Sequence, residues 1–220
     1  MNIEPVAIFH SPMTEKFGIP RQAGLTPSLH GQVVLEPAFR SPDALRGLDG
    51  FDYIWLIWGF SLNRPSGNGN LTVRPPRLGG NERVGVFASR SPYRPNPLGL
   101  SSVRIESIDT SAGIIEVSGA DLADGTPIYD IKPYISYTDA HEGARSGFVD
   151  SNSWKRLEVR IPDALKAELG DSLEAVTSVL SEDPRPQYQE DPDKVYGMAF
   201  GGRNIRFKVQ GDALEVTTIE

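Results

Sequence analysis

Tyr53 to Phe60 reads YIWLIWGF, a run that is apolar on both faces of an extended chain. A run of this kind predicts a central β-strand that is covered on both sides. It is the longest apolar run of the chain and is far too short to span a bilayer. The fold is therefore expected to form around this strand.

Further short apolar or β-branched runs lie on both sides of the central run, separated by Gly, Pro, Asn and Asp. They are Val6 to Phe9, Gln32 to Leu35, Val84 to Ala88, Ser102 to Ile108, Ile114 to Val117 and Tyr129 to Ile131. Short strands with turn signals between them are typical of a β-sandwich or a barrel. The turn Asp109 to Gly113 favours antiparallel pairing, and Ser41 is expected to cap a short helix over Pro42 to Leu48.

The composition changes after about Tyr137. A polar stretch at 141–153 is interpreted as a linker, which gives a β domain at 1–140 and a small α+β appendage at 154–220. Helical spacing predicts helices over Pro162 to Leu169 and Ser172 to Leu180, with Gly170 as the stop between them. Three strands are predicted after the helices, over Val195 to Phe200, Ile205 to Val209 and Leu214 to Thr218.

The composition limits the possible functions. The 220 residues include no cysteine, which excludes disulfides, cysteine nucleophiles and thiolate metal sites. The three histidines, His10, His30 and His141, are dispersed and show no metal spacing, so no metal site is predicted. The first residues lack the pattern of a signal peptide, so a soluble cytoplasmic protein without membrane contact is expected.

The segment from Thr72 to Leu100 is basic in a chain whose formal net charge is -7. It holds five arginines against one acid, Glu82; they are Arg74, Arg77, Arg83, Arg90 and Arg94. The surrounding prolines and glycines disfavour helix and predict stiff loops that present guanidinium groups. Such groups suit an anionic ligand such as a carboxylate or a phosphate.

Two other segments carry polar side chains next to Gly and Pro turn residues. The Gly/Pro turn of Phe17 to Gln22 presents Arg21 and Gln22 and, taken alone, reads as an ordinary loop. In the segment from Asp121 to Tyr134, Asp124-Gly125-Thr126 is a turn signal. The strand that follows places Asp130, Lys132 and Tyr134 on alternate positions, so one face carries them together, either as a functional group or as a solvated face.

Several phrases together resemble the YaeB/TsaA-like (TrmO) family, the β-barrel methyltransferases that N6-methylate adenosine 37 of tRNA. The phrases are FGIPRQAGL (Phe17 to Leu25), LDGFDYIWLI (Leu48 to Ile57), Thr72 to Ser101, DLADGTPIYDIKPY (Asp121 to Tyr134) and SEDPRPQY (Ser181 to Tyr188). The resemblance covers nearly the whole chain. It implies a mainly β fold with a single antiparallel β-barrel and a small C-terminal α+β appendage.

The resemblance also implies that the protein binds S-adenosylmethionine. Carried over by motif, the cofactor contacts are Pro20, Arg21, Gln22, Ser61, Leu62, Arg90, Leu100, Ala123, Asp124, Gly125 and Thr126. One departure concerns Ser61-Leu62, where related members often carry His-Gln. The implied acceptor is N6-threonylcarbamoyladenosine in the anticodon loop of a threonine tRNA, and the implied assembly is a homodimer.

The acceptor nitrogen loses a proton, and the hypothetical proton acceptors or orienting groups are Asp124, Asp130 and Tyr93. The side chains expected to face tRNA are Arg74, Arg77, Arg94 and Lys132. Two alternatives stay open. One is a non-catalytic barrel that binds S-adenosylmethionine or RNA, and the other is an enzyme that uses the pocket on another anionic, adenine-containing ligand.

Overall fold

The structure, a computed structural model, describes residues 2–63, 71–75, 83–152, 155–186 and 191–220. The strands are β1 (Ala7–His10), β2 (His30–Leu35), β3 (Tyr53–Gly59), β4 (Thr72–Val73), β5 (Val84–Gly85), β6 (Leu98–Asp109), β7 (Ile114–Ser118), β8 (Thr126–Pro133), β9 (Glu158–Arg160), β10 (Tyr196–Phe200), β11 (Arg203–Gln210) and β12 (Ala213–Ile219). The α-helices are α1 (Pro42–Leu45), α2 (Ser136–Asp139), α3 (Asp163–Leu169) and α4 (Leu173–Ser181).

Six strands close into a barrel in the order β1-β2-β7-β6-β3-β8. Every pair in the barrel is antiparallel, and β6 and β7 are joined by the predicted turn around Asp109 to Gly113. The prediction of a single antiparallel barrel is confirmed. Closure leaves no free strand edge, so the backbone donors and acceptors of these strands find partners within the barrel.

Strand β3 pairs along both edges, with β6 and with β8. Ile54, Leu56 and Trp58 point inward and are buried, whereas Trp55 and Ile57 are only half-buried. The prediction of a strand covered on both faces is therefore wrong for the outer face. The outer apolar side chains lie on the barrel surface, where no further layer of the described chain covers them completely.

Strand β8 carries a bulge opposite the β3 residues Ile57 and Trp58. Ile57 pairs with Asp130 and Trp58 with Ile128, so Tyr129 has no opposite residue. Because side chains alternate between faces, the extra residue changes which face the following residues occupy. Thr126 and Ile128 are buried inside the barrel, while Lys132 is exposed outside it.

The predicted strand Val84 to Ala88 is only partly a strand. Extended structure ends at Gly85, and a 3-10 turn, Val86–Ala88, follows. The Val86 amide donates to the Leu71 carbonyl at 2.9 Å, after which the chain turns and buries Val86 while leaving Phe87 78% exposed. The short strands β4 and β9 were not predicted, because two or three residues carry too little pattern to be recognised.

The C-terminal appendage consists of α3, α4 and a sheet in the order β10-β11-β12-β9. Strand β9 joins this sheet parallel to β12. The predicted helices on either side of Gly170 are present; α3 begins one residue later than predicted, and α4 is shifted by one residue toward the C-terminus. Ser41 caps α1 by accepting from the Asp43 amide at 3.3 Å. The boundaries of the β domain, linker and appendage stay predictions.

The chain between β1 and β2 packs against the appendage as well as against the barrel. Met13 and Leu29 belong to the hydrophobic cluster formed by α4 and the inner face of the C-terminal sheet. The barrel has a separate cluster built from residues such as Phe9, Val33 and Ile115. In the part of the chain that the structure describes, no helix is long and apolar enough to cross a membrane.

Candidate functional site

The predicted site segments meet at one end of the barrel. The register places the end of β1 beside the start of β8, with Phe9 opposite Thr126, and the end of β3 beside the start of β6, with Gly59 opposite Leu98. Antiparallel closure therefore collects three connections at this end. They are the β1–β2 connection with Pro20 to Gln22, the chain after β3 with Ser61 and Leu62, and the turn before β8 with Ala123 to Thr126.

Arg90 and Gln22 are in direct contact although they are far apart in sequence. Arg90 Nη1 donates a hydrogen bond to Gln22 Oε1, and the Arg90 residue remains exposed. Pro20, two residues earlier, is buried and fixes the path of the turn. The structure thus brings together the arginine segment and the Pro-Arg-Gln turn, as the resemblance implies.

Asp124 is held at the mouth of the barrel by two donors. His10 Nδ1 and the Ser11 amide each lie 3.1 Å from Asp124 Oδ1. The Asp124 side chain is 39% exposed, so it can still reach a ligand. His10 was not recognised as a site residue from the sequence, because a lone histidine 114 residues from its partner carries no pattern.

The turn that carries Asp124 is fixed through its backbone. The Asp124 amide donates to the Met13 carbonyl and the Gly125 amide to the Phe9 carbonyl, each at 2.9 Å. Gly125 has φ +73°, a conformation that other residues rarely adopt, and no atom lies within 4 Å of the place where its Cβ would be. The backbone of this turn is therefore open to a ligand.

The chain after β3 is joined to the same turn. Ser61 Oγ lies 3.2 Å from Thr126 Oγ1, and Thr126 is buried. Leu62 is 43% exposed, and Leu100 is 58% exposed on the outer face of β6 near the same barrel end. The departure Ser61-Leu62 therefore keeps a polar link to the turn and adds an exposed apolar side chain.

A half-buried carboxylate, Asp121, lies beneath this site and was not predicted. Ser101 Oγ donates to Asp121 Oδ1 at 2.5 Å, and Trp58 Nε1 donates to Ser101 Oγ at 2.9 Å. Desolvation raises the pKa of Asp121, while the Ser101 hydroxyl and the positive charge of Arg90 favour the ionised form and partly oppose the rise. Ala23, next to Gln22, also donates its backbone N–H to this carboxylate.

The raised pKa of Asp121 predicts how the stability of the fold changes with pH. A carboxyl whose pKa is higher in the folded state contributes stability that is complete below its unfolded pKa, and this contribution is lost as pH rises through the folded pKa. Asp121→Asn should remove this loss. We expect the free energy of unfolding of the variant, relative to wild type, to rise between pH 4 and 8 in urea titrations. A difference that stays constant with pH would contradict the assignment.

Other predicted residues make their contacts with groups other than Asp124. Asp130 pairs with Lys132 at 3.0 Å on the outer barrel face, four residues beyond Thr126, a strand distance of about 13 Å. Arg94 Nη1 donates to the Ser89 carbonyl at 3.0 Å, a hydrogen bond within its own loop. Tyr93 is 45% exposed, and Lys16 Nζ lies 5.5 Å from the centroid of its ring.

The remaining predicted arginines differ in their surroundings. Arg74 is exposed, whereas Arg77 lies outside the described residues. Arg21 is exposed, yet desolvation of its guanidinium lowers its pKa and the nearby carboxylate of Asp183 opposes that shift. Asp183 belongs to the C-terminal appendage, so Arg21 faces the appendage and differs in this respect from its neighbour Gln22. Across the described ranges, no group of three or more His, Asp or Glu residues is arranged to hold a metal.

Comparison with known proteins agrees with this architecture over the whole chain. The tRNA-methyltransferase O N-terminal domain family matches residues 8–140, and the TrmO C-terminal domain family matches residues 155–220. A tRNA (adenine(37)-N6)-methyltransferase of Escherichia coli (strain K12) is 35% identical over 229 residues, covering 99% of this chain and 97% of that protein. A putative S-adenosylmethionine-dependent methyltransferase, RcsF, of Pseudomonas aeruginosa is 40% identical over 217 residues, covering 94% of this chain and 91% of that protein.

A solved structure is similar along its entire length. The crystal structure of TrmO from Pseudomonas aeruginosa matches with a TM-score of 0.81 and 30% identity, covering 100% of this chain and 98% of that chain. Sequence and structure therefore confirm the resemblance that the motifs indicate, and the chain belongs to the TrmO family.

Proposed function

We propose that this protein transfers a methyl group from S-adenosylmethionine to N6 of N6-threonylcarbamoyladenosine 37 in the anticodon loop of threonine tRNA. It does so as a cytoplasmic homodimer. The observation that carries the proposal is the meeting of Arg90, Gln22 and Asp124 at one barrel end. Membership of the TrmO family supports the reaction class, and the motif resemblance supports the particular nucleoside and tRNA.

The donor set at the barrel end fits S-adenosylmethionine. The exposed guanidinium of Arg90 offers a fork for the methionine carboxylate, with Gln22 beside it. A carboxylate such as Asp124 suits ribose hydroxyls, as it does in other nucleotide sites. The exposed Leu62 and Leu100 offer apolar cover for an adenine, and the open backbone at Gly125 offers amide and carbonyl groups to its edge.

S-adenosylmethionine supplies a methyl group activated by a neighbouring sulfonium, so the protein's contribution is mainly positioning and electrostatics. Asp124, with one oxygen anchored by His10 and Ser11, is the best-placed carboxylate to accept the proton of the acceptor nitrogen. Tyr93 and Asp130 are the alternative proton acceptors or orienting groups. Asp130 is the weaker alternative because its carboxylate already pairs with Lys132.

The tRNA would approach over the arginine segment. Arg74 is exposed there, and Arg94 and Lys132 offer cations for phosphates or for the threonyl carboxylate of the acceptor nucleoside. Phe87 and Tyr93, which are 78% and 45% exposed, present ring faces on which an unpaired base could stack. Single-stranded loops are the usual targets of such aromatic surfaces.

A second copy of the chain would cover the outer face of β3 and β6. Tyr53 and Leu100 are exposed on this face, and the half-buried Ile57 lies opposite Leu100. Contiguous exposed apolar surface favours association with another protein. A dimer formed here would place Leu100 at the interface and also near the cofactor.

Nucleoside mass spectrometry tests the proposed reaction. Purified protein is incubated with isotopically labelled S-adenosylmethionine and tRNA from cells that lack this gene, and the digested nucleosides are separated. We expect one labelled methyl on N6-threonylcarbamoyladenosine from threonine tRNA. Methyl transfer to unmodified adenosine would contradict the proposed nucleoside, and binding of S-adenosylmethionine without any transfer would favour the non-catalytic barrel.

Arg74 is expected to contribute to tRNA binding without affecting the cofactor. Arg74→Gln should weaken tRNA binding and reduce the slope of log affinity against log salt by about one, because one phosphate contact is lost. Filter binding over a salt series measures this slope. Arg46→Gln is the matched control, since Arg46 is exposed, pairs with Asp43 and follows α1 near the opposite barrel end. An unchanged slope for Arg74→Gln would remove Arg74 from the tRNA surface.

A further inference from the structure

We propose that the C-terminal appendage holds the cofactor loop, defined here as residues 20–25, in its binding conformation, with Arg156 and Glu182 as positioning residues. The inference rests on the proposed function, because it takes S-adenosylmethionine as the ligand of this loop. It assigns to the appendage a role in binding the methyl donor.

The chain on either side of the cofactor loop is buried in the appendage. Phe17 stacks on Tyr196 and Phe207, with ring centroids 6.4 and 6.3 Å apart. Earlier in this connection, the Gly201 amide donates to the Pro12 carbonyl at 2.8 Å. Leu29, which follows the loop, is 2% exposed within the same hydrophobic cluster. Both ends of the loop therefore depend on the appendage for their position.

Arg156 reaches from the appendage to the loop itself. Its Nε lies 2.6 Å from Glu182 Oε1, and its Nη2 donates to the Leu25 carbonyl at 2.9 Å. The Glu182 side chain is 9% exposed, and a carboxylate with so little access to water requires a charged partner. The planar guanidinium makes both contacts at once, so the buried carboxylate fixes the group that holds Leu25.

A second, electrostatic interaction acts at the start of the loop. The carboxylate of Asp183 lies near the Arg21 guanidinium and favours its charged form. Asp183 has φ +50°, an uncommon conformation for a residue other than glycine, and Arg185 binds its two carboxylate oxygens at 2.8 and 3.0 Å. The neighbouring residues Glu182 and Asp183 therefore act on the two ends of the cofactor loop, Glu182 through Arg156 and Asp183 through its charge near Arg21.

The barrel holds the opposite side of the same loop. The Gly24 amide donates to the Gly119 carbonyl at 2.8 Å, and Ala23 donates its backbone N–H to the carboxylate of Asp121. Gln22, between the two sets of contacts, is the residue that accepts from Arg90. Loosening the appendage side should let Gln22 move, and binding of the donor would then have to order the loop again.

The test is the affinity for S-adenosylmethionine, measured by isothermal titration calorimetry on the full chain. Arg156→Met keeps most of the side-chain length but removes both polar contacts, and we expect Kd to rise about tenfold. Hydrogen exchange of residues 20–25 without ligand should accelerate in the same variant. Lys155→Met is the matched control, because Lys155 pairs with Asp212 within the appendage and should leave both measurements unchanged.

Arg156→Lys separates positioning from simple stability. A lysine can still neutralise Glu182, so the melting temperature should recover, but it cannot make both contacts, so Kd should stay raised. Wild-type affinity in Arg156→Met or in Arg156→Lys would overturn the inference while leaving the proposed function intact. A wild-type protein that fails to bind S-adenosylmethionine would instead overturn the proposed function, and the inference with it.

Discussion

Replacing Arg90 with alanine should raise the Kd for S-adenosylmethionine by about 10- to 100-fold. The range follows from the roughly 1.5–3 kcal/mol that hydrogen bonds to charged groups contribute. Arg90 is exposed and donates to Gln22 at the barrel end. Its guanidinium is the group that we assign to the methionine carboxylate. Calorimetric titration with S-adenosylmethionine, and with S-adenosylhomocysteine as a ligand that retains the carboxylate, measures the loss.

The pattern across ligands identifies what Arg90 binds. If the methionine carboxylate is its partner, affinity for 5′-methylthioadenosine, which lacks that carboxylate, should be the same in wild type and Arg90→Ala. Arg46→Ala serves as the control for general loss of a surface arginine. Equal affinity of wild type and Arg90→Ala for S-adenosylmethionine would reject the assignment.

Asp124→Asn should lower kcat by about 100-fold or more at saturating S-adenosylmethionine, the range expected when a positioned proton acceptor is removed. Asparagine has nearly the shape of aspartate and can still accept from His10 and the Ser11 amide, so the turn should keep its position. Single-turnover methylation of tRNA measures the chemical step separately from product release.

Asp130→Asn is the informative comparison, because Asp124 and Asp130 are alternatives for the same proton. We expect only Asp124→Asn to lower the single-turnover rate strongly, since Asp130 lies on the outer face in an ion pair with Lys132. A large loss of kcat in Asp130→Asn with a small one in Asp124→Asn would transfer the role to Asp130. A loss confined to the Kd for S-adenosylmethionine would make Asp124 a cofactor ligand without a part in proton transfer.

The barrel strands were predictable because their apolar side chains recur at short intervals between clear turn signals. The run Tyr53 to Phe60 is an example, since the structure has β3 at Tyr53–Gly59. Its outer face was mispredicted, because an apolar sequence cannot distinguish a strand covered by another layer from one on a barrel surface. The 3-10 turn at Val86–Ala88 was missed because Val, Phe and Ala also suit a strand, and only the burial of Val86 decides its path.

The candidate site was predictable where residues belong to a motif and not where distant residues meet. Gln22 and Arg90 were both assigned from their phrases, and the structure joins them. His10 and Asp121 were not assigned, because their roles depend on contacts with Asp124 and Ser101 that closure of the barrel creates. The pairing of Arg156 with Glu182 and Leu25 likewise depends on how the appendage packs.

The unpaired Tyr129 determines which changes of length β8 can tolerate. With Tyr129 present, Asp130 and Lys132 face water while Ile131 packs against the barrel core. Loss of Tyr129 itself would remove the bulge and keep both faces, because Ile128 and Asp130 already lie opposite consecutive residues of β3. Loss of a paired residue would instead reverse the faces of the rest of the strand and could move a carboxylate or an ammonium group into an apolar interior, at a cost of several kcal/mol per ion. Evolution can therefore remove the codon of Tyr129 more easily than the codon of a paired residue of this strand.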